Sequence, residues 1–120
     1  MEFKDDLPIY VQIMSLIKKR IISGELNGGD KMPSVREFST ELKVNPNTVQ
    51  RAYQELEREN LVFTQRGMGT FVSKDEEIIM KLKKNMADEI VDGFINDMKF
   101  LGYSSNEIIN LITIKIKKEE

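Results

Sequence analysis

The sequence predicts a mainly helical fold of the α+β class, in which several helices accompany one small β-hairpin. Apolar residues recur every three or four positions over most of the 120 residues, which is the period of amphipathic helices. Between residues 61 and 73 this period gives way to two short runs of β-forming residues around a glycine-containing turn. Helix N-cap patterns at Ser34 and Asn45 divide the middle of the chain into short helices. At this length we expect one domain and a small appendage.

The composition excludes several classes of protein. There is no cysteine and no histidine, which removes the thiolate and imidazole metal ligands and the commonest general base. No nucleophile–base pair is visible, and no apolar run approaches the roughly 18 residues of a membrane span. The acids Glu2, Asp5 and Asp6 interrupt any signal-peptide pattern. We therefore expect a cytoplasmic protein that is not an enzyme and that binds no metal and no cofactor.

The middle of the chain contains two short helices joined by a tight polar turn. Ser34 and Glu37 fit a capping box, so the first of these helices begins at Ser34. Asn45 is a suitable N-cap for the second, and Pro46 fits its first position, where the missing N–H costs nothing. One face of the second helix is apolar, and the other carries Asn47, Gln50, Arg51, Gln54 and Arg58. This is the helix-turn-helix pattern, whose second helix enters the major groove of DNA.

A further helix and a hairpin flank this pair. The preceding helix is expected from about Pro8 to Ser23, and the turn-rich loop after it places it over the pair as a third packing partner. After the pair, residues 61–65 and 70–73 read as two strands linked by Arg66-Gly67-Met68-Gly69. A hairpin in this position is a wing, and an arginine at its tip suits a phosphate or the minor groove. Residues 1–73 are thus expected to form a winged helix-turn-helix domain.

Residues 74–120 have a different character and are expected to form a tail of two helices. A long helix should span Asp75 to Leu101 with two apolar stripes, and Gly102 should end it. Ser104 and Glu107 again fit a capping box. The run from residue 112 to 117 also alternates like a strand, and the capping box favours the helix.

The tail is too apolar to stand alone, which predicts a two-fold dimer through these helices. The alternative is that they fold back on the first helix of the same chain. The residues expected at the dimer contact are Met86, Ile90, Val91, Phe94, Met98, Leu101, Ile108, Leu111 and Ile112.

Three ordered motifs resemble the winged-helix domain of the GntR family of bacterial transcription regulators. They are PSVRE at residues 33–37, NPNTVQRAYQEL at 45–56 and RGMGTFV at 66–72, and PIYVQI at 8–13 resembles the family's first helix. The resemblance covers residues 8 to 73, and the short two-helix tail is similar to that of the YtrA-like subfamily. It implies a homodimeric repressor at a near-palindromic operator, often of an operon that encodes an ABC transporter.

The resemblance also implies which residues contact DNA. They are Arg36 on the first motif helix, Asn45, Asn47, Thr48, Gln50 and Arg51 around the start of the second, and Arg66 and Gly67 on the wing. Pro46 stands where some branches carry an arginine that reads guanine. Base reading is therefore expected to depend on Asn47, Gln50 and Arg51, since amides pair with adenine and arginine with guanine.

The sequence leaves open an alternative function and the means by which the protein is controlled. The net charge of −2 also fits a protein-interaction module, and a surface dominated by Glu55, Glu57 and Glu59 would favour that function over DNA binding. For the two arginines, the alternative to DNA contact is a surface ion pair, of Arg36 with Glu37 or Glu41 and of Arg51 with Glu55. A small-molecule effector between the tail helices or under the wing is one means of control. Control by the abundance of the chain is the other.

Overall fold

The structure is a computed structural model that describes residues 3, 4 and 6–120, so the acids Glu2 and Asp5 lie outside the described residues. The elements in chain order are α1 (Ile9–Ile22), α2 (Val35–Leu42), α3 (Pro46–Arg58), β1 (Val62–Gln65), β2 (Gly69–Val72), α4 (Glu76–Phe100) and α5 (Ser105–Glu119). The predicted order of three helices, a hairpin and two further helices is confirmed. Two compact units are present, one up to Lys83 and one from Lys84, so the division between them falls inside α4.

The first unit is built on α3, against which both α1 and α2 pack. The core side chains are almost fully buried, and the largest of them are Phe38, Ile13, Ile17, Leu56, Val49, Val62 and Val72. The Phe38 and Tyr53 rings lie 6.3 Å apart, which joins α2 to α3. The prediction that α1 is a third packing partner for the helix pair is therefore confirmed.

The local chemistry at the helix starts is the predicted one. Ser34 Oγ accepts a hydrogen bond from the Glu37 backbone at 3.0 Å, and the Glu37 carboxylate accepts one from the Ser34 backbone at 3.0 Å. Asn45 Oδ1 accepts a hydrogen bond from the Asn47 backbone at 2.8 Å, and Pro46 is the first residue of α3. These bonds satisfy N–H groups that a helix N-terminus otherwise leaves without a partner.

The wing is wider than the two predicted strands. β1 and β2 pair antiparallel, with Val62 opposite Val72 and Gln65 opposite Gly69. Residues 29–32, which were expected to be a loop, run along the outer edge of β2. There the Val72 backbone donates to Asp30 O at 2.8 Å, and the Met32 backbone donates to Thr70 O at 2.7 Å. A local pattern does not reveal this pairing, because the partner strand lies some forty residues further along the chain.

The side chain of Gln12 on α1 fixes the segment that precedes the helix. Its Oε1 accepts a hydrogen bond from the Lys4 backbone at 2.8 Å, and its Nε2 donates to Lys4 O at 2.7 Å and to Leu7 O at 2.9 Å. Gln12 is itself buried, and these three bonds use both ends of its amide. No helical or strand period predicts this role for Gln12, because its partners lie outside the helix.

In the second unit, α5 is helical over residues 112–117, so the preference for a helix is confirmed. Gly102 ends α4 with φ +94°, and the Tyr103 backbone donates to Met98 O at 3.1 Å, as in a helix-ending glycine motif. Ser104 and Glu107 form the predicted capping box at the start of α5. Within this unit Met98 and Ile108 are buried.

Candidate nucleic-acid interface

The two faces of α3 differ as the sequence predicts. Val49, Ala52, Tyr53 and Leu56 are buried in the core. The opposite face is exposed and presents Asn47, Gln50, Arg51, Gln54 and Arg58, with Asn45 exposed just before it and Thr48 half-buried. Because the apolar face packs into the core, the polar side chains of α3 are left at the surface, where a partner can reach them.

Arg51 contacts Tyr10 of α1 rather than Glu55. Its guanidinium carbon lies 3.9 Å from the centre of the Tyr10 ring, and its Nη2 donates to the Tyr10 hydroxyl at 3.4 Å. Glu55 instead pairs with Arg58 at 3.4 Å. An arginine over an aromatic face is attracted by the ring's electron density. The two residues are 41 positions apart, so no local sequence pattern predicts this contact.

A shallow pocket gathers several of the predicted DNA-contacting residues at the start of α3. It is lined by Ile9, Tyr10, Asn45, Asn47, Thr48 and Arg51. Amide and guanidinium groups here are donors and acceptors of the kind that read base edges. Gln50 is exposed on the same helix outside this pocket. Arg36 lies on α2 and Arg66 at the wing, so they belong to neighbouring parts of the unit.

Glu55 and Glu57 late in α3, and Glu59 directly after it, all have partners within the chain. Glu57 accepts hydrogen bonds from Thr64, and Glu59 pairs with Lys18 of α1 at 3.0 Å. Together with the Glu55–Arg58 pair, these contacts engage the three carboxylates that would otherwise favour a protein-interaction surface. Within residues 3, 4 and 6–120, the ion pairs do not include the guanidinium of Arg36, Arg51 or Arg66.

Arg66 and Gly67 occupy the exposed turn of the wing. Gly67 has φ +78°, a conformation that glycine adopts without strain, and the Met68 backbone donates to Gln65 O at 2.9 Å to close the turn. The Lys31 side chain crosses Gly69, since a Cβ placed there would lie 2.9 Å from Lys31 Cε. Lys31 is therefore a basic residue of the wing that sequence reasoning missed, because the pairing of residues 29–32 with β2 brings it there.

Among the described residues of this unit, the side chains of Glu37 and Tyr53 have perturbed pKa values. The Ser34 backbone N–H, and then its hydroxyl, hold the pKa of the Glu37 carboxyl below its usual range. Burial, reinforced by the charges of Glu37 and Glu41, raises the pKa of the Tyr53 hydroxyl. Tyr53 therefore stays neutral and donates a hydrogen bond to Pro33 O at 2.7 Å. Glu37 thus holds the start of α2, and Tyr53 ties α3 to the segment before α2.

The second unit exposes much of its apolar surface. Ile90 is 70% exposed and Leu101 68%, and Val91 and Phe94 are also exposed. Of the other residues expected at the dimer contact, Met86, Leu111 and Ile112 are half-buried, whereas Met98 and Ile108 are buried within the unit. A pocket of about 430 Å³ between α4 and α5 is lined by Ile90, Val91, Phe94, Ile95, Lys99, Ser105, Ile108, Ile109 and Ile112. A Cβ at Gly93 would meet nothing within 4 Å, so no part of the described chain crosses α4 closely there.

No helix in residues 3, 4 and 6–120 is long and apolar enough to cross a membrane. Within the same residues, no group of three or more acidic side chains is arranged to hold a metal ion.

The chain is similar to known proteins over nearly its whole length. The family described as "Bacterial regulatory proteins, gntR family" matches residues 9–72. The uncharacterized HTH-type transcriptional regulator YhcF of Bacillus subtilis is 45% identical over 108 residues, which cover 90% of this chain and 89% of that protein. The HTH-type transcriptional repressor YtrA of Bacillus subtilis is 40% identical over 100 residues, covering 82% of this chain and 77% of that protein.

Solved structures give the same result. A GntR family transcriptional regulator from Listeria monocytogenes superposes with a TM-score of 0.85 at 40% identity, covering 92% of this chain and 97% of that one. The DNA-binding domain of AraR in complex with operator ORR3 superposes with a TM-score of 0.55 at 30% identity, covering 61% of this chain and 86% of that one.

Proposed function

Since this chain belongs to the GntR family of bacterial regulatory proteins, in its YtrA-like subfamily, and is a DNA-binding transcription regulator, we propose that it acts as a homodimeric repressor at a near-palindromic operator. The observation that carries this proposal is the exposed polar face of α3. In the described part of the chain, Arg51 on this face forms no ion pair with a carboxylate, since Glu55 pairs with Arg58. The repressor YtrA of Bacillus subtilis supports repression as the mode of action. A place in the bacterial cytoplasm and the absence of enzymatic activity follow from this proposal.

The DNA contacts divide by function. Arg36, Arg66 and Lys31 lie on α2 and along the wing, where cations bind phosphates and fix the position of the protein on the duplex. Asn47, Gln50 and Arg51 lie on the exposed face of α3 and read base edges in the major groove. Asn45 is engaged as the N-cap of α3, so it positions the start of the helix beside the groove.

The exposed apolar surface of the second unit supports a dimer. Soluble chains rarely expose contiguous apolar patches of more than a few hundred Å² unless a partner covers them. Here large side chains of both tail helices are exposed, among them Ile90, Val91, Phe94, Leu101 and Ile109. A stable interface buries about 800 Å² on each partner, and a second copy of the same helices supplies a matching apolar surface. Two α3 helices would then enter successive major grooves about one helical turn apart.

Fluorescence anisotropy on DNA from upstream of the protein's own gene tests the proposal, with a scrambled duplex of equal length as the control. We expect the native duplex to bind at least a hundredfold tighter, about 2.7 kcal/mol, with two chains per duplex. Affinity should also fall steeply across a salt series, because binding releases counterions from the phosphates. Equal affinity for native and scrambled duplexes would contradict sequence-specific repression at this site. No binding to either duplex at low salt would favour the protein-interaction module instead.

A further inference from the structure

Arg51 is held by an aromatic side chain from a different helix, and we propose that Tyr10 is a positioning residue for base reading by Arg51. The inference rests on the proposed function, because it assumes that the exposed face of α3 reads an operator. It assigns to α1 a part in sequence recognition in addition to its packing. Neither the charge nor the periodicity of α1 suggests that part.

The contact joins two rigid elements. Tyr10 is half-buried in the first turn of α1, whose next turns place Ile13 and Ile17 fully in the core. Arg51 lies on α3, against which α1 packs. The guanidinium carbon is 3.9 Å from the ring centre, and Nη2 lies 3.4 Å from the phenol oxygen. The position of the ring is therefore set by the core, and the ring in turn sets the position of the guanidinium.

Such a contact prepares arginine for base recognition. An unrestrained arginine samples many rotamers, and ordering it on a base reduces affinity. Tyr10 orders the side chain before DNA arrives, and it occupies one face of the guanidinium and one Nη group. Of the five N–H donors, the others stay available for the two parallel bonds that a guanine edge accepts.

The location of the pair points to DNA rather than to stability alone. Tyr10 and Arg51 line the same shallow pocket as Asn45, Asn47 and Thr48, which the family resemblance places against DNA. Arg51 is exposed, so the contact adds little to the core. A cation–π contact at an exposed site contributes little to stability. Its larger effect is to order the Arg51 side chain, which binds DNA in the proposed function.

Two substitutions at residue 10 separate the ring from the hydroxyl. Tyr10→Phe keeps the aromatic face and loses the hydroxyl, whereas Tyr10→Leu keeps the apolar bulk and loses the face. The probe is the duplex that the wild-type protein selects from a randomised pool, together with its single base-pair variants. We expect Tyr10→Phe to bind within about twofold of wild type, and Tyr10→Leu to bind about three- to tenfold more weakly, as expected for one newly unordered side chain.

The readout that distinguishes positioning from folding is discrimination at one base pair. Tyr10→Leu should reduce the preference at the position whose preference Arg51→Ala abolishes, and it should leave the other positions unchanged. In the background of Arg51→Ala, Tyr10→Leu should have no further effect, because the side chain that Tyr10 positions is gone. Additive losses from the two substitutions would overturn the inference.

Other outcomes would also overturn it. If Tyr10→Phe weakens binding to every duplex alike and leaves the salt slope unchanged, the uncharged hydroxyl contacts a phosphate instead. If Tyr10→Leu binds more tightly than wild type, the ring holds Arg51 away from DNA. A wild-type protein that selects no sequence would contradict the proposed function itself, whereas a selective wild type with an unchanged Tyr10→Leu would contradict only the assignment of Tyr10.

A measurement on the wild-type protein covers the case in which Tyr10→Leu does not fold. The ring current of Tyr10 should shift the Arg51 side-chain proton resonances upfield, in the free protein and in its complex with the selected duplex. Loss of this shift when DNA is added would mean that Arg51 leaves the ring to bind, and positioning by Tyr10 would be refuted.

Discussion

Glu57 of α3 accepts two hydrogen bonds from Thr64 of β1, one from the backbone N–H at 3.3 Å and one from the hydroxyl at 3.2 Å. The Thr64 hydroxyl also lies 3.4 Å from that of Thr70 on β2. The Glu57 carboxylate thus ties α3 to β1, and the Thr64 hydroxyl extends the contact to β2. The negative charge of Glu57 accepts hydrogen bonds from the wing.

Replacing Glu57 by alanine should therefore loosen the wing and weaken operator binding. We expect a loss of about two- to fivefold, on the order of one exposed hydrogen bond, without a change in base preference. Glu59→Ala is the matched control, because it removes the same charge from the same end of α3 and contacts Lys18 rather than the wing. Anisotropy titrations of both variants on one duplex give the comparison. Equal affinities would mean that Glu57 does not control the wing.

Arg51 and Arg58 form a second matched pair. Both are exposed on the polar face of α3, but Arg58 lies at its C-terminal end and pairs with Glu55. Arg51→Ala should cost about 1–3 kcal/mol on the specific duplex and relax the preference at one base pair. Arg58→Ala should change affinity uniformly across sequences. If Arg51→Ala keeps wild-type affinity and specificity, Arg51 does not read the operator.

The two capping boxes predict a dependence of stability on pH. The backbone N–H and hydroxyl of Ser34 hold the pKa of the Glu37 carboxyl below its ordinary value, and those of Ser104 do the same for Glu107. Because the folded pKa lies below the unfolded one, this stabilisation is present above the ordinary glutamate value of about 4.3. It is lost as the pH falls through the lowered pKa of the folded state.

Urea unfolding at a series of pH values measures this contribution. In the double variant Glu37→Gln/Glu107→Gln, the glutamine side chains still fit the capping boxes but do not titrate. The free energy of unfolding of this variant should therefore fall less on acidification than that of wild type. Glu119→Gln/Glu120→Gln removes the same charge outside any capping box and should follow wild type. Parallel pH profiles for wild type and the capping variant would contradict the prediction.

The dimer can be tested at Ile90, which is 70% exposed in the single chain. Ile90→Glu should leave the fold intact, since little of this side chain is buried, and should prevent association by placing a carboxylate in the apolar contact. Asn96→Glu adds the same charge on the opposite face of α4 and should remain dimeric. Sedimentation equilibrium should then give 13.9 kDa for Ile90→Glu and twice that mass for wild type. A dimeric Ile90→Glu would show that the tail contact lies elsewhere.

Sequence alone predicts the parts of this fold whose causes are local. Ser34 and Glu37 are three residues apart, as are Ser104 and Glu107, so each capping box and the helix that follows it can be recognised within one short window. The alternating run after residue 111 is ambiguous by period, and the cap at Ser104 decides it because a started helix propagates.

The candidate site is less predictable because its contacts join distant positions. Tyr10 and Arg51 are 41 residues apart, and the apolar period of α1 accounts for Tyr10 without any reference to DNA. Lys31 comes to the wing only because residues 29–32 pair with β2, in a segment whose composition is that of a loop. Such contacts depend on the packed arrangement of elements, which a helical or strand period does not encode.

The pairing of residues 29–32 with β2 has a consequence for protein engineering. If a wing defined as residues 62–72 were transplanted into another regulator, it would lack the backbone groups that complete its outer edge. Among these groups are Asp30 O and the Met32 N–H. The exposed edge would then be open to pairing with other chains. The transferable module is therefore discontinuous and comprises residues 29–32 together with the hairpin. Chimeras that exchange both segments should stay monodisperse where hairpin-only chimeras aggregate.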